Sequence, residues 1–404
     1  MFTTILGSLT SLLPRSFIFG SYIPVLIVGF VNASLLYWSS PSFRETANAG
    51  FASGPLLATA VLFTLSVIAA YMMSAVQSVL REVLEGRYLP HWLAASFRTR
   101  QQRRLRRLDE DLNVAGNDRL FIGNRARAWR IGLHDRGSSV PEKPRASSGY
   151  RTFLPNTHSA IQRLERLRRS WKPVHFEELQ HAEALAEEAL LLYDVRTDGD
   201  LKRDSEALYD VIAYAPGAAE TRELELFARR QTEFGVVPLP TRLGNVAASL
   251  ESYAASRYGI DIDTFWSRLQ PIIQRNDEKA YGALVDAKTQ LDFLITCCWG
   301  VMSTAIGWSV LFAALGVAPL AAILTLPAGL AISWIFYRLS VTAYISYTEF
   351  VRACVDLNRF ALLKALHIAL PAGIRDERAL WKGLQRVSSF GSGAVELSYQ
   401  HDPP

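Results

Sequence analysis

Six polar residues between positions 242 and 292 have side chains that suit a binding site or an ion-collecting vestibule. They are one guanidinium, one amide, one ammonium and three carboxylates: Arg242, Asn245, Glu251, Asp286, Lys288 and Asp292. On a helix, the three-residue spacing of Arg242 and Asn245 places both on one face, and Lys288 and Asp292, four apart, can pair. Such groups can gather ions at a pore mouth or form a hydrogen-bonded junction between helices. The junction is favoured, because charges at helix ends are usually structural or solvated.

The same segment contains four different short motifs. They read Pro-Thr-x-x-Gly-Asn at 240–245, Tyr-Gly at 258–259, Trp-x-Arg-Leu at 266–269 and Asp-Ala-Lys-x-x-x-Asp-Phe at 286–293. Over about residues 238–295 this string resembles a family of uncharacterised prokaryotic multi-pass membrane proteins. The resemblance implies a membrane hairpin after the motifs and brings no known activity with it.

Long stretches without charge surround these motifs and predict how they are positioned. Asp, Glu, Lys and Arg are absent from 16–43, 46–80 and 293–337. A membrane span needs roughly 20 apolar helical residues, so the third stretch is long enough for two passes. We therefore predict an N-terminal transmembrane hairpin in 1–80, with a loop at 39–54, and a C-terminal hairpin in 291–338. The second hairpin is expected to turn at Gly316 and Pro319, because a later turn would draw Arg338 into the membrane.

The charges are unevenly distributed and predict the orientation. Residues 81–170 contain 20 basic and 9 acidic residues, whereas 171–290 contain 13 basic and 21 acidic. Arginine and lysine in loops favour the cytoplasmic side. The expected location is the inner (plasma) membrane, with both termini and the polar region between the hairpins in the cytoplasm.

A basic segment directly follows the second span. It combines one aromatic residue with six arginines: Trp92, Arg98, Arg100, Arg103, Arg104, Arg106 and Arg107. A basic helix with aromatic residues can lie on anionic lipid headgroups. The arginines can also serve only to establish topology, and the two interpretations are compatible. Phosphate neutralisation on nucleic acid is disfavoured, because the membrane already accounts for the charge.

The remaining pattern is mainly helical. We predict a basic juxtamembrane segment at 81–131, a flexible loop at 132–160, a helical cytoplasmic domain at 161–290, and C-terminal helices with a tail at 339–404. Helical periodicity predicts helices at 161–167, 176–195, 221–234, 241–258 and 264–273, and one long helix is expected to run from Asn276 into the third span. The fold class is an all-α membrane protein with four transmembrane helices in two hairpins flanking that domain.

No motif predicts a cofactor or a metal centre. His175 and His181 are six apart, which does not suit a shared helical face, and the three cysteines lack the spacing of a zinc site. The spans contain no ionisable residue, which argues against a proton-coupled pump. Small residues in the third span, Gly300, Ser303 and Gly307, predict close helix packing.

Three functions fit these features. The first is a non-enzymatic, homo-oligomeric membrane protein whose cytoplasmic domain senses or binds a protein partner. The second is an oligomeric channel or pore gated by that domain, with the six polar residues at its mouth. The third is an enzyme at the membrane interface.

Overall fold

The computed structural model describes residues 13–136, 220–315 and 319–391, and within these ranges it contains helices and no strand. The helices are α1 Arg15–Ser39, α2 Pro41–Ser53, α3 Pro55–Glu85, α4 His91–Arg136, α5 at 220–233, α6 Arg242–Tyr258, α7 Ile262–Asn276, α8 Glu278–Leu315, α9 Pro319–Ala365 and α10 Ile374–Phe390. They form two compact units: the first draws on residues up to 102 and from 231 onward, and the second on 103–230. The helices expected between 161 and 219 lie outside the described residues.

Four of these helices, α1, α3, α8 and α9, are long and apolar enough to cross a membrane. Many of their large apolar side chains point outward, including Phe30, Leu56 and Ile323, which are 69–87% exposed. Outward-facing apolar side chains are typical of helices in lipid. Within the described ranges, the prediction of a helical fold is confirmed, and so is that of four apolar helices compatible with a multi-pass membrane protein.

The segment predicted as a loop at 39–54 is instead a helix, α2. The Ser40 hydroxyl accepts a hydrogen bond from the Phe43 amide at 3.3 Å, and Pro41 occupies the first helical turn. Proline is favoured at that position because its missing N–H has no helical partner to lose. The proline that indicated a loop therefore begins a helix. Helix α4 likewise continues to Arg136, so the loop predicted from 132 does not begin there.

Helices α1 and α8 run parallel and contact each other along their length. Gly20 packs against Thr289 and Asp292 near one end, and Gly300 packs against Val28 farther along. Beyond these, the Asn32 side chain bridges the two helices. Its amide donates to the Thr304 hydroxyl at 3.0 Å, and its carbonyl accepts from the Trp308 indole at 2.8 Å. An interhelical amide satisfied in this way is a typical contact between membrane helices.

Helices α8 and α9 pack side by side in opposite directions. The Cys298 thiol lies 3.3 Å from the Ser333 hydroxyl, and Gly329 approaches Ala305 so closely that a Cβ at position 329 would overlap it. Gly307, which the sequence placed at a packing face, has no neighbour within 4 Å of where its Cβ would lie. That expectation is wrong within the single chain: the close contacts are at Gly300 and Gly329.

Helices α8 and α9 continue without a break beyond the apolar stretches into an apolar core. This core also includes α6, α7 and α10, and we call it the helical domain. Its centre holds Trp381, whose ring meets that of Phe265 edge-on at 5.2 Å, together with the fully buried Leu363 and Ile273. The predicted long helix into the third apolar stretch is confirmed, and it begins at Glu278.

The second unit contains parts of α4 and α5 joined by ion pairs. Arg230 Nε lies 2.9 Å from Asp109 Oδ1, and Arg119 Nε lies 2.7 Å from Glu223 Oε2. These side chains are partly exposed, so each pair stabilises the contact by no more than about 1 kcal/mol.

Replacing Gly329 with alanine should destabilise the α8–α9 contact by about 1–3 kcal/mol, because the added methyl group overlaps Ala305. The matched variant Gly307→Ala adds the same group in open space and should be neutral or slightly stabilising. Thermal unfolding of both purified variants in detergent measures the difference. Equal melting temperatures would contradict this packing.

Candidate functional site

A buried carboxylate at the end of α3 is the centre of the polar contacts. Glu85 is 3% exposed, and its two oxygens meet three donors. Arg87 Nε donates at 2.9 Å, the Tyr344 hydroxyl donates at 3.1 Å, and Arg81 Nε lies 3.6 Å away. A charge with this little exposure is tolerated only when paired and hydrogen-bonded, and here both conditions hold.

Two glycines allow the N-terminus of α6 to reach the C-terminus of α3. Gly86 ends α3 in the left-handed conformation, with φ of +85°, and so turns the chain away from the helix axis. Gly244 faces the Glu85 carbonyl oxygen so closely that any Cβ there would overlap it. The glycine of the Pro-Thr-x-x-Gly-Asn motif is therefore required by a helix-to-helix contact.

The other residues of that motif build the start of α6. The Thr241 hydroxyl accepts the Gly244 amide at 3.0 Å as an N-cap. Asn245, 1% exposed, donates to the carbonyls of Leu239 and Thr241 at 3.1 and 2.8 Å and accepts the Leu239 amide at 2.6 Å. Asn245 thus holds the preceding loop against the helix.

A tyrosine from α9 completes the end of α6. The Tyr337 hydroxyl accepts the backbone amides of Arg242 and Leu243, at 3.2 and 3.4 Å. The first amides of a helix lack intrahelical partners, so a hydroxyl from a neighbouring element can satisfy them. This contact joins α6 to α9 where α6 already meets α3.

Arg242 and Glu251 both lie on α6, but they contact different parts of the chain. Arg242 Nη2 lies 3.9 Å from Glu233 Oε2, whereas Glu251 Oε1 accepts Arg87 Nη2 at 2.6 Å. Arg87 therefore bridges Glu85 and Glu251. Burial alone would lower the pKa of Arg87. The hydrogen bonds that Arg87 donates to these two carboxylates outweigh the effect of burial, so the pKa of Arg87 is raised.

The remaining predicted residues lie on α8. Lys288 Nζ is 3.2 Å from Asp292 Oδ2, as the four-residue spacing predicts. The Asp292 carbonyl accepts the Gln77 side chain of α3 at 3.0 Å, and Arg81 interacts electrostatically with both Asp292 and Glu85. Asp286 is exposed and lines a separate cavity. The six residues therefore form two groups linked through Arg81, with Asp286 apart from both.

A second polar cluster, absent from the sequence-based predictions, joins α6 to α9. The Tyr253 hydroxyl donates to Asp356 Oδ2 at 2.7 Å and accepts Arg257 Nη1 at 2.5 Å. The Arg352 guanidinium lies over the Tyr253 ring, 5.0 Å from its centroid. Burial, followed by the hydrogen bond to Asp356, raises the pKa of Tyr253 to about 12. Arginine–tyrosine spacing in sequence carries no signal for such a contact between distant helices.

The basic segment forms part of α4. Trp92 is 71% exposed, and the arginines at 98, 100, 103, 106 and 107 are also exposed, while Arg104 is half-buried. Trp92 and five of the six arginines of the basic segment therefore face outward.

The chemistry of the described residues is that of paired charges. No group of three or more histidine, cysteine, aspartate or glutamate side chains is arranged to hold a metal ion within 13–136, 220–315 and 319–391. The buried carboxylate Glu85 is neutralised by arginines. The arrangement suits a rigid junction between helices.

Comparison with known proteins finds no matching family model, no similar curated protein and no similar solved structure. The class of protein therefore follows from the chain itself: four apolar helices long enough to cross a membrane, joined to a helical domain.

The Glu85→Gln variant should lose about 2 kcal/mol or more of stability, because Arg81 and Arg87 would keep their charges beside a neutral, buried partner. Glu251→Gln is the matched control: it removes the other partner of Arg87 at a position where both side chains are over 40% exposed, and should cost less than about 1 kcal/mol. Unfolding in mixed micelles measures both. Equal losses would contradict the central role of Glu85.

The raised pKa of Tyr253 predicts a loss of stability at alkaline pH. Because the folded state holds this phenol neutral, its contribution is complete below the ordinary tyrosine pKa of about 10 and is lost as the pH rises through about 12. Melting temperatures from pH 8 to 12 should fall less steeply in Tyr253→Phe than in the unsubstituted protein. Parallel curves would remove Tyr253 from the alkaline transition.

Proposed function

We propose that the chain is a non-enzymatic, homo-oligomeric integral protein of the inner (plasma) membrane, whose cytoplasmic helical domain binds a protein partner and passes that event to the membrane helices. The observation that carries this proposal is the continuity of α8 and α9. Each helix contributes to an apolar, membrane-length stretch and to the core of the helical domain. Since a helix transmits displacement along its axis, a change in the domain would move the spans.

The contacts at Glu85 support the same proposal. They join the end of α3 to α9 through Tyr344 and to α6 through Arg87 and Glu251. Three elements therefore meet where the apolar stretches give way to polar sequence. With arginines concentrated after α3, the proposed topology has two hairpins, with this meeting point and both termini on the cytoplasmic side.

An exposed apolar strip on α9 supports a protein partner. Phe350 and Leu357 are seven residues apart, so they share a helix face, and they are 41% and 76% exposed. Both lie in the part of α9 that belongs to the helical domain. Large apolar side chains on such a face are typical of a binding surface.

Two further surfaces support the expected associations. Apolar side chains of α3, including Leu57, Leu65 and Met72, are 57–72% exposed and are available to lipid or to a second copy of the chain. Trp92 and the arginines at 98, 100, 103, 106 and 107 are exposed, as a helix on anionic headgroups requires. We assign the six predicted polar residues to the junction rather than to a pore mouth.

Hydrogen–deuterium exchange tests whether a change at Glu85 reaches the helical domain. In protein reconstituted into nanodiscs, Glu85→Gln should raise the exchange of α6 and of the adjoining part of α9 by about tenfold or more, because loss of the buried pair favours local opening. Glu251→Gln should leave these segments nearly unchanged. An increase confined to the first turns around position 85 would overturn the proposed coupling.

Ion flux separates this proposal from a channel. Purified protein in liposomes should show no flux, alone or with Arg242→Ala, while native mass spectrometry should detect an oligomer. Flux that disappears in Arg242→Ala would overturn the proposal and place a pore mouth at this residue.

A further inference from the structure

A cavity of about 330 Å³ lies between the first turns of α1 and the middle of α8. It is separate from the Glu85 contacts and from the basic helix α4. From α1 it is lined by Arg15, Ser16 and Phe19, and from α8 by Asp286, Thr289, Gln290 and Phe293. The cavity is not enclosed, so it is accessible from outside the protein.

The lining changes from charged to apolar along both helices in the same direction. On α1 the order is Arg15 and then Phe19, and on α8 it is Asp286 and then Phe293, where the charge-free stretch begins. Because α1 and α8 run parallel, the charged ends coincide and the aromatic ends coincide. A ligand that fits this gradient has a charged end and an apolar end, as a phospholipid does.

The lining residues span the depth of a lipid headgroup. Asp286 lies seven residues before Phe293, which is about 10 Å along a helix. If Phe293 marks the hydrocarbon boundary, Asp286 lies about 3–5 Å beyond a headgroup layer roughly 5–7 Å thick, on its aqueous side. Gln290 lies between these depths, and its amide can donate to a phosphate. The Thr289 hydroxyl already donates to the Val285 carbonyl at 2.7 Å, so it can only accept a hydrogen bond from the ligand.

The charges present are one cation and one anion, and both are available. Neither Arg15 nor Asp286 has a hydrogen bond or an ion pair with another residue in the part of the chain that the structure describes. A guanidinium binds a phosphate with two parallel hydrogen bonds, and a carboxylate accepts strong hydrogen bonds from an ammonium group. A quaternary ammonium has no N–H to donate, and a glycerol headgroup has no cation.

We propose that this cavity binds one phospholipid with a primary-amine zwitterionic headgroup, a phosphoethanolamine, with its phosphate on Arg15 and its ammonium on Asp286. The acyl chains leave past Phe19 and Phe293 into the bilayer. The site would select the lipid by its amine, unlike the basic segment of α4 at 92–107, whose charged residues are all arginines.

The test is native mass spectrometry of the delipidated full chain titrated with phosphatidylethanolamine, phosphatidylcholine and phosphatidylglycerol of identical acyl chains. The unsubstituted protein should bind the ethanolamine lipid about tenfold more tightly than the choline lipid, as one charge-assisted hydrogen-bonded contact implies. Asp286→Asn should abolish this preference without weakening the glycerol lipid. Arg15→Gln should weaken the ethanolamine and glycerol lipids by about the same factor.

Matched controls use exposed charges outside the cavity. Glu278→Gln, on the same helix as Asp286, and Arg275→Gln, at the end of α7, should bind all three lipids as the unsubstituted protein does. Melting temperatures of the four variants establish that each is folded. An ethanolamine preference retained in Asp286→Asn, or lost in Glu278→Gln, would overturn the site.

Discussion

Burying the Glu85 carboxylate is the constraint on which the junction depends. An unpaired ionised carboxylate in a poorly hydrated region is strongly unfavourable, and removing one partner of a buried pair typically costs about 3–5 kcal/mol. The surrounding elements must therefore deliver donors to one point. Arg81 comes from the same helix, Arg87 from the turn after it, and Tyr344 from α9. Tyr344 reaches Glu85 only when α3 and α9 are aligned in one register. Apolar contacts alone specify the register of two helices less strictly, so the polar contacts at Glu85 favour one alignment.

The glycines beside this centre have a complementary role. Hydrogen bonds act over short distances, so Glu85 can be shielded from water only if α6 comes close to the end of α3. Gly244 allows that approach, and the N-cap at Thr241 together with the Tyr337 hydroxyl compensates the amides exposed at the start of α6. Adjacent residues of one motif thus provide both the hydrogen bonds and the close packing. This explains why threonine, glycine and asparagine occur together in the Pro-Thr-x-x-Gly-Asn motif.

The sequence predicts the helical elements better than their contacts. Charge-free length and hydrophobic periodicity indicate the apolar helices and the helices at 220–276, since these properties depend on neighbours along the chain. The α2 helix was missed because Pro41 and two glycines also suit a loop, and only the Ser40 cap distinguishes the two.

The pairing of Lys288 with Asp292 follows from spacing, but Glu85, Tyr337 and Tyr344 could not be selected from the sequence. Tyr337 meets Leu243 from 94 residues away, and Tyr344 meets Glu85 from 259 residues away, and nothing in local composition indicates such proximity. Gly307 shows the same limit: a small residue permits close packing, but which glycine meets a neighbour depends on helix rotation.

The use of the polar groups also bears on conduction. An ion-collecting mouth needs charges that remain hydrated and face a continuous water path, since a charge already compensated by a neighbouring ion attracts no further ions. Asn245 is buried with its amide satisfied by the backbone, Glu251 is paired with Arg87, and Asp292 is paired with Lys288. Among the six predicted residues, Asp286 is the exposed carboxylate without a described partner, and it faces a cavity beside α1 rather than the space between α6 and the spans. Opening a path at the junction would require breaking the pairs that stabilise it. The Arg87–Glu251 pair and the Tyr344–Glu85 hydrogen bond instead join the helical domain to the end of α3.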